Sequence, residues 1–143
     1  GVKVIGMTAC PCAMEIIRKI GKYKKDDVPP THNQRNITTV MIEVPRNDIT
    51  IDANDLIDLS EDAFSSPTFS ILKRGEEGQI VYDAHQNPKF VEDVVRDILS
   101  NILKRYQRLP DDTLVVVRSE SEESIHKHNA YAERVTTLAE LKR

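Results

Sequence analysis

Tryptophan is absent and aromatic residues make up only 5% of this 143-residue chain. That scarcity excludes a stacking platform of the kind that binds single-stranded nucleic acid. Positive charge is in short supply too: 20 Lys and Arg face 23 Asp and Glu, a formal net charge of −3, whereas a domain built to grip a phosphate backbone is normally basic. No nucleic-acid partner is expected, although a small anionic ligand is compatible with this balance. No apolar run approaches the roughly 20 residues that cross a membrane, so no membrane partner is expected either. The only cysteines are Cys10 and Cys12, and the single proline between them leaves them poorly placed to bridge each other. A disulfide framework is excluded on that ground, and a reducing, cytoplasmic setting is predicted. The opening Gly1-Val2-Lys3-Val4-Ile5-Gly6 has neither the layout nor the cleavage site of a secretory signal. It reads as a strand entered without an initiating methionine, the start of a fragment.

What is present predicts one domain, since the length suits a single hydrophobic core. Residues 2–9 alternate loosely and end in a turn. Pro11 suits the first position of a helix that carries Met14, Ile16, Ile17 and Ile20 and stops near Gly21. A solvated loop from Lys22 to Pro30 then delivers Thr31-His32-Asn33-Gln34-Arg35. From Ile37 to Val44, Thr38, Val40, Ile42 and Val44 share one face and Ile37, Thr39 and Met41 the other, a strand ended by Pro45. Asp52 to Leu59 reads as a short acidic helix, and Ser65-Ser66-Pro67 ends it. Thr68 to Leu72 extends briefly before a polar turn from Lys73 to Gly78. The strongest helix follows: Asn87 caps it, Pro88 enters its first turn, and Phe90, Val94, Ile98, Ile102 and Tyr106 recur at helical spacing. Thr113 to Val117 reads as a buried strand and Asn129 to Thr137 as its antiparallel partner, across a turn holding His126 and His128. This order predicts an α+β domain, a mostly antiparallel sheet covered on one face by helices.

Cys10 would precede a helix starting at Pro11, where unpaired amides and the helix dipole favour an anion, the form in which sulfur binds metals or attacks electrophiles. Small apolar filling is the other reading of Cys10 and Cys12. His126-Lys127-His128 puts two imidazoles on one side of an extended chain, suited to a metal or to proton transfer. Exposed loop histidines are the alternative there, and the same holds for His32. Glu77 is expected in a turn and Glu92 in the first turns of a helix.

Gly6-Met7-Thr8-Ala9-Cys10-Pro11-Cys12, Thr31-His32-Asn33-Gln34-Arg35, Leu72-Lys73-Arg74, Asn87-Pro88-Lys89-Phe90-Val91-Glu92-Asp93 and Glu123-Ser124-Ile125-His126-Lys127-His128-Asn129-Ala130-Tyr131-Ala132 change that balance. In this order they resemble the motif set of the type IB GTP cyclohydrolases, most closely the archaeal Fe(II)-dependent branch that starts methanopterin synthesis. The resemblance implies the tunnelling fold, whose module is a four-stranded antiparallel sheet with its principal helices on one face. In that fold, oligomers close their sheets into a barrel with sites between modules. Family members are bimodular, so residues 1–143 are expected to be a single module, the C-terminal half. The missing N-terminal module and homo-oligomer partners would then contribute to the sites.

Carried over by motif, Cys10, His32, Glu77 and His126 are the implied metal ligands, and Glu92 is the carboxylate that holds the guanine edge. The resemblance favours Fe(II), while a thiolate, imidazole and carboxylate set also suits Mn(II) or Zn(II). Glu76 adjoins Glu77, and His126 and His128 are interchangeable in role. A metal so held lowers the pKa of bound water and so supplies a nucleophile for C8 of guanine. His128 is the implied proton-transfer group, because imidazole titrates near neutrality. Arg35, Lys73 and Arg74 are candidates for the phosphates, and nothing resembles a glycine-rich phosphate loop. The insert from Lys22 to Pro30 departs from the bacterial pattern. The activity implied is GTP ring opening with loss of formate, giving 7,8-dihydroneopterin 2',3'-cyclic phosphate in the archaeal branch or the triphosphate in the bacterial type. Two alternatives are a tunnelling-fold enzyme that uses Cys10 as a covalent nucleophile on a pterin or deazaguanine ring, and a non-catalytic oligomerisation or binding module.

Overall fold

The computed structural model describes residues 1–45 and 49–143. In chain order the elements are β1 (Val2–Ala9), α1 (Pro11–Ile20), β2 (Asn33–Glu43), α2 (Ala53–Glu61), β3 (Ser66–Pro67), α3 (Arg74–Gln86), α4 (Val91–Tyr106), β4 (Leu114–Glu122), β5 (Ala130–Thr137) and α5 (Leu138–Leu141). The strands form one antiparallel sheet in the order β3-β1-β2-β4-β5. α2 packs on β1 and α4 on β4 and β5, which makes this an α+β module with helices on one face of the sheet. None of the helices among the described residues is long and apolar enough to cross a membrane.

Strand periodicity sets which side chains meet the helices. Residues two apart share a face, so Val40, Val115 and Val117 turn inward, where they are fully buried against Leu56, Val94, Ile98 and Ile102. Further along the same row the residues become polar. Gln34, Asn36 and Thr38 on β2 continue the row, beside Thr8 on β1 and Ser119 and Ser121 on β4. A buried polar group costs free energy unless paired, and most of these are paired across the strands. Thr8 Oγ1 donates to Asn36 Oδ1 at 2.7 Å, Asn36 Nδ2 donates to Ser119 Oγ at 3.4 Å, and the Thr38 and Ser119 hydroxyls lie 2.8 Å apart. The core is thus apolar at one end of the sheet and hydrogen-bonded at the other.

Several sequence expectations need correction. The sheet has five strands rather than four, because Ser66–Pro67 pairs with Gly6 and Met7 at the edge. A two-residue strand carries no readable alternation, and Pro67 suits an edge because proline has no N–H to donate. Thr68 to Leu72 adds no strand, and the polar turn from Lys73 to Gly78 is instead the opening of α3. There the Lys73 N–H donates to Glu76 Oε2 at 2.7 Å, and a Cβ at Gly75 or Gly78 would meet nothing within 4 Å. Only Ala84 of this helix is buried, so it shows no apolar stripe to read. α4 starts at Val91 rather than at Pro88: Phe90 is its N-cap residue, with its N–H donating to Asp93 Oδ2 at 3.0 Å, while Asn87 closes α3.

Gly6 is where β1 needs a missing side chain, because the ring of buried Phe64 occupies the space a Cβ would take. Gly6→Ala is therefore expected to destabilise the fold by about 1–3 kcal/mol, the usual cost of overpacking, as read by denaturant unfolding. An unchanged midpoint would show that Phe64 moves aside freely.

Candidate metal and substrate site

Cys10 lies at the junction of β1 and α1. Its extended backbone makes it the N-cap, and its Sγ accepts from the Ala13 N–H at 3.4 Å. Pro11 follows at the first helical position, where the missing N–H would have no partner in any case. The β1–β2 pairing ends at Ala9 opposite Asn33, and one step beyond it the Cys10 N–H donates to the His32 carbonyl at 3.1 Å. The Thr31 hydroxyl closes the corner by donating to the Cys10 carbonyl at 2.8 Å. Cys10 and His32 are held side by side although an entire helix and loop separate them in the chain.

His32 is half-buried, and its Nδ1 shares a hydrogen bond with Ser124 Oγ at 3.1 Å, leaving Nε2 as the nitrogen open to a ligand. His126 and His128 lie in the exposed β4–β5 loop, their rings stacked with centroids 5.2 Å apart and planes at 19°. The stretch is a run of bends rather than the extended chain expected, so the loop's curvature and not strand alternation sets the two rings together.

Two clefts meet at Cys10 and His126. One, of about 310 Å³, is lined by Cys10, Gln34, Phe90, Val91, Glu92, Glu123, His126, His128, Ala130 and Tyr131. The other, of about 300 Å³, is more apolar and adds Cys12, His32, Ile16, Ile17 and Ile125. Glu92 reaches the first cleft from the first turn of α4. A larger groove of about 460 Å³ between α2 and α4 is lined by Asp55, Asp58, Lys104 and Arg105 among others, and has no thiol or imidazole.

Other sequence candidates lie elsewhere. Glu77 is exposed in the first turn of α3, and Lys73 and Arg74 at the start of that helix are exposed too. Arg35 follows Gln34 on β2 and borders a small cleft of about 200 Å³ with Gly6, Met7, Asn33, Gln34 and Thr68. None of these borders the two clefts at Cys10. Conversely, Gln34, Glu123 and Tyr131 enter the first cleft without having been singled out. Inward parity on β2 was the available signal for Gln34. Tyr131 carries Arg118 4.8 Å from its ring centroid, and hydrogen bonding to Glu133, with desolvation, raises its phenol above the ordinary value.

Among the described residues no three His, Cys, Asp or Glu side chains are gathered closely enough to hold a metal ion. In kind, however, the sulfur of Cys10 and the imidazoles of His32 and His126 suit a borderline divalent ion. They line one cleft, from the end of β1, the residue before β2 and the β4–β5 loop.

Residues 1–132 match the family model described as type I GTP cyclohydrolase folE2. The chain belongs to this family. GTP cyclohydrolase MptA 1 of Methanocella arvoryzae is 44% identical over 159 residues, covering 100% of this chain and 50% of that protein. GTP cyclohydrolase MptA of Methanothermobacter thermautotrophicus is 46% identical over 156 residues, covering 99% of this chain and 49% of that protein. A protein of the same name from Methanocaldococcus jannaschii is 39% identical over 158 residues, covering 100% and 50%. The chain spans about half the length of the curated relatives it matches.

In this type I GTP cyclohydrolase chain, Ser124 is the side chain that orients His32. Ser124→Ala is expected to free the imidazole from this contact, read as a shift of the His32 ring nitrogens in ¹H–¹⁵N spectra. Stability should change by less than about 0.5 kcal/mol, as for exposed positions generally. Unmoved ring signals would mean that the contact does not hold the ring.

Proposed function

We propose that this chain is the metal- and guanine-binding module of a GTP cyclohydrolase that opens the imidazole ring of GTP and releases C8 as formate. The reaction would begin pterin synthesis, and resemblance to the archaeal branch favours Fe(II) and a 2',3'-cyclic phosphate product. The observation that carries this reading is the cleft itself: Cys10 at the start of α1, Glu92 in α4, and His126 and His128 in the β4–β5 loop line one cavity of about 310 Å³. Family membership and relatives named as GTP cyclohydrolases support it.

Cys10, His32 and His126 would hold the metal, and because Glu77 of the same chain lies outside the two clefts, the carboxylate donor would be Glu77 of another subunit. Bound there, a divalent ion supplies Lewis acidity that makes water nucleophilic near neutral pH. Glu92 accepts hydrogen bonds from guanine N1–H and the 2-amino group, and so turns C8 towards Cys10 and His126. His128, stacked on His126, is placed to pass protons to and from the opening ring. The thiolate-nucleophile alternative gives no reason for imidazoles to flank Cys10. Arg35, Lys73, Arg74 and Glu77 are turned away from the cleft, which fits a site completed by the other module or by another subunit of a homo-oligomer. There they would meet the triphosphate or the metal of a neighbouring site.

Mass analysis of the full-length protein incubated anaerobically with GTP and Fe(II), Mn(II) or Zn(II) tests the reading. Formate with a cyclic phosphate is the expected result, and an intact triphosphate product would assign the bacterial type. A folded protein that binds GTP yet turns it over with none of these metals would defeat the proposal. Cys10→Ser is expected to lose metal, measured by metal analysis after gel filtration. Glu92→Gln should keep the metal and weaken GTP about tenfold or more, since hydrogen bonds to a charged group are worth about 1.5–3 kcal/mol. Lost metal in Glu92→Gln would place this carboxylate in a different role.

A further inference from the structure

In the inward polar row of the sheet, Thr8, Asn36, Thr38, Ser119 and Ser121 each have a side-chain partner, the last through Glu123 Oε1 at 2.8 Å. Gln34 continues that row and has none. It is only 7% exposed, its Oε1 is withdrawn from solvent without a hydrogen bond, and its carboxamide makes no hydrogen bond among the described residues. A buried carboxamide left unpaired is costly. It is also the residue through which β2 enters the cleft of Cys10, Glu92, His126 and His128.

We propose that Gln34 is a substrate-contacting residue whose carboxamide donates a hydrogen bond to the 6-oxo edge of guanine. This rests on the proposed function and extends it to a position with no assigned role. If Glu92 takes N1–H and the 2-amino group while C8 faces Cys10 and His126, the purine spans the cleft with two long edges left. One carries N9 with its ribose and phosphates and must face the open mouth. The other, with the acceptors O6 and N7, must face the floor, and β2 supplies that floor through Gln34. A carboxamide has N–H donors for O6, and its nitrogen and oxygen exchange places by a simple flip. The pairing would give a partner to a carboxamide that has none among the described residues, and would select a 6-oxo purine.

The test is Gln34→Met in the metal-loaded full-length protein, assayed with GTP and with 6-thio-GTP. The thio analogue keeps N1–H and the 2-amino group for Glu92 but offers a poorly accepting sulfur in place of O6. The unsubstituted protein is expected to prefer GTP by about tenfold, the worth of a neutral hydrogen bond. Gln34→Met should lose that preference by weakening GTP alone, with KM raised and kcat changed less. Its thermal midpoint should be equal or higher, because an apolar side chain of the same shape removes an unpaired polar group. Preference retained in Gln34→Met, or both nucleotides weakened equally with a lower midpoint, would assign Gln34 a structural role and overturn the proposal. A parent protein that turns over GTP without discriminating against the thio analogue overturns this inference and leaves the cyclohydrolase reading standing. Failure of the parent to bind GTP at all would remove both.

Discussion

The backbone of Ala9 and Cys10 is the knot on which the site depends. Ala9 is fully buried, with its N–H donating to Ser65 Oγ at 3.1 Å while its carbonyl accepts from the Lys89 N–H at 3.0 Å. Cys10 is tied to His32 and Thr31 in the same way. These contacts bring together the end of β1, the entry to β2, the segment before β3 and the α3–α4 connection. Lys89 adds a second tie, its Nζ donating to the Ala63 carbonyl at 3.0 Å and to Asp97 at 2.6 Å. Buried peptide groups must find partners, so the thiol cannot be displaced without leaving several of them unpaired. The functional side chain inherits its position from obligations of the main chain.

The same economy explains the gradient within the core. Burial of branched aliphatic side chains between the sheet and α2 and α4 provides the main driving force, and the paired polar row adds directional contacts where the sheet approaches the clefts. Gln34 sits at the point where the row runs out into the cavity. Glu92 and Phe90 face it from the start of α4, where a carboxylate also suits the positive end of the helix dipole.

α3 contrasts with that rigid corner. It runs through Ile80, Val81 and Tyr82 with only Ala84 buried, and its N-terminal turn holds Lys73, Arg74 and Glu77 in solvent. A helix of this length gains little from intrinsic propensity alone. His85 reaches the site region from this helix, its Nε2 lying 3.2 Å from the Thr31 carbonyl. Lys73, Arg74 and Glu77 are thus carried by a helix that buries almost none of its own surface.

Much of the fold was legible from the residues. Alternation along β1 and β2, the helical spacing of α4, Pro11 at the start of α1 and the His-x-His turn between β4 and β5 were readable, because each is a local pattern imposed by backbone geometry. The motif blocks likewise identified Cys10, His32, Glu92, His126 and His128 as candidates. The two-residue β3 and the helix over Arg74–Gln86 were not legible: the first is too short to have a period, and the second buries no face that would create one. Nor could the residues alone reveal that Arg35, Lys73, Arg74 and Glu77 stand apart from Cys10, or that Gln34 lacks a partner. Local sequence determined most of the elements, because periodicity and capping act within a few residues. Only the tertiary structure decided which side chains share a cavity, because that depends on strand register and on hydrogen bonds between residues far apart in the chain.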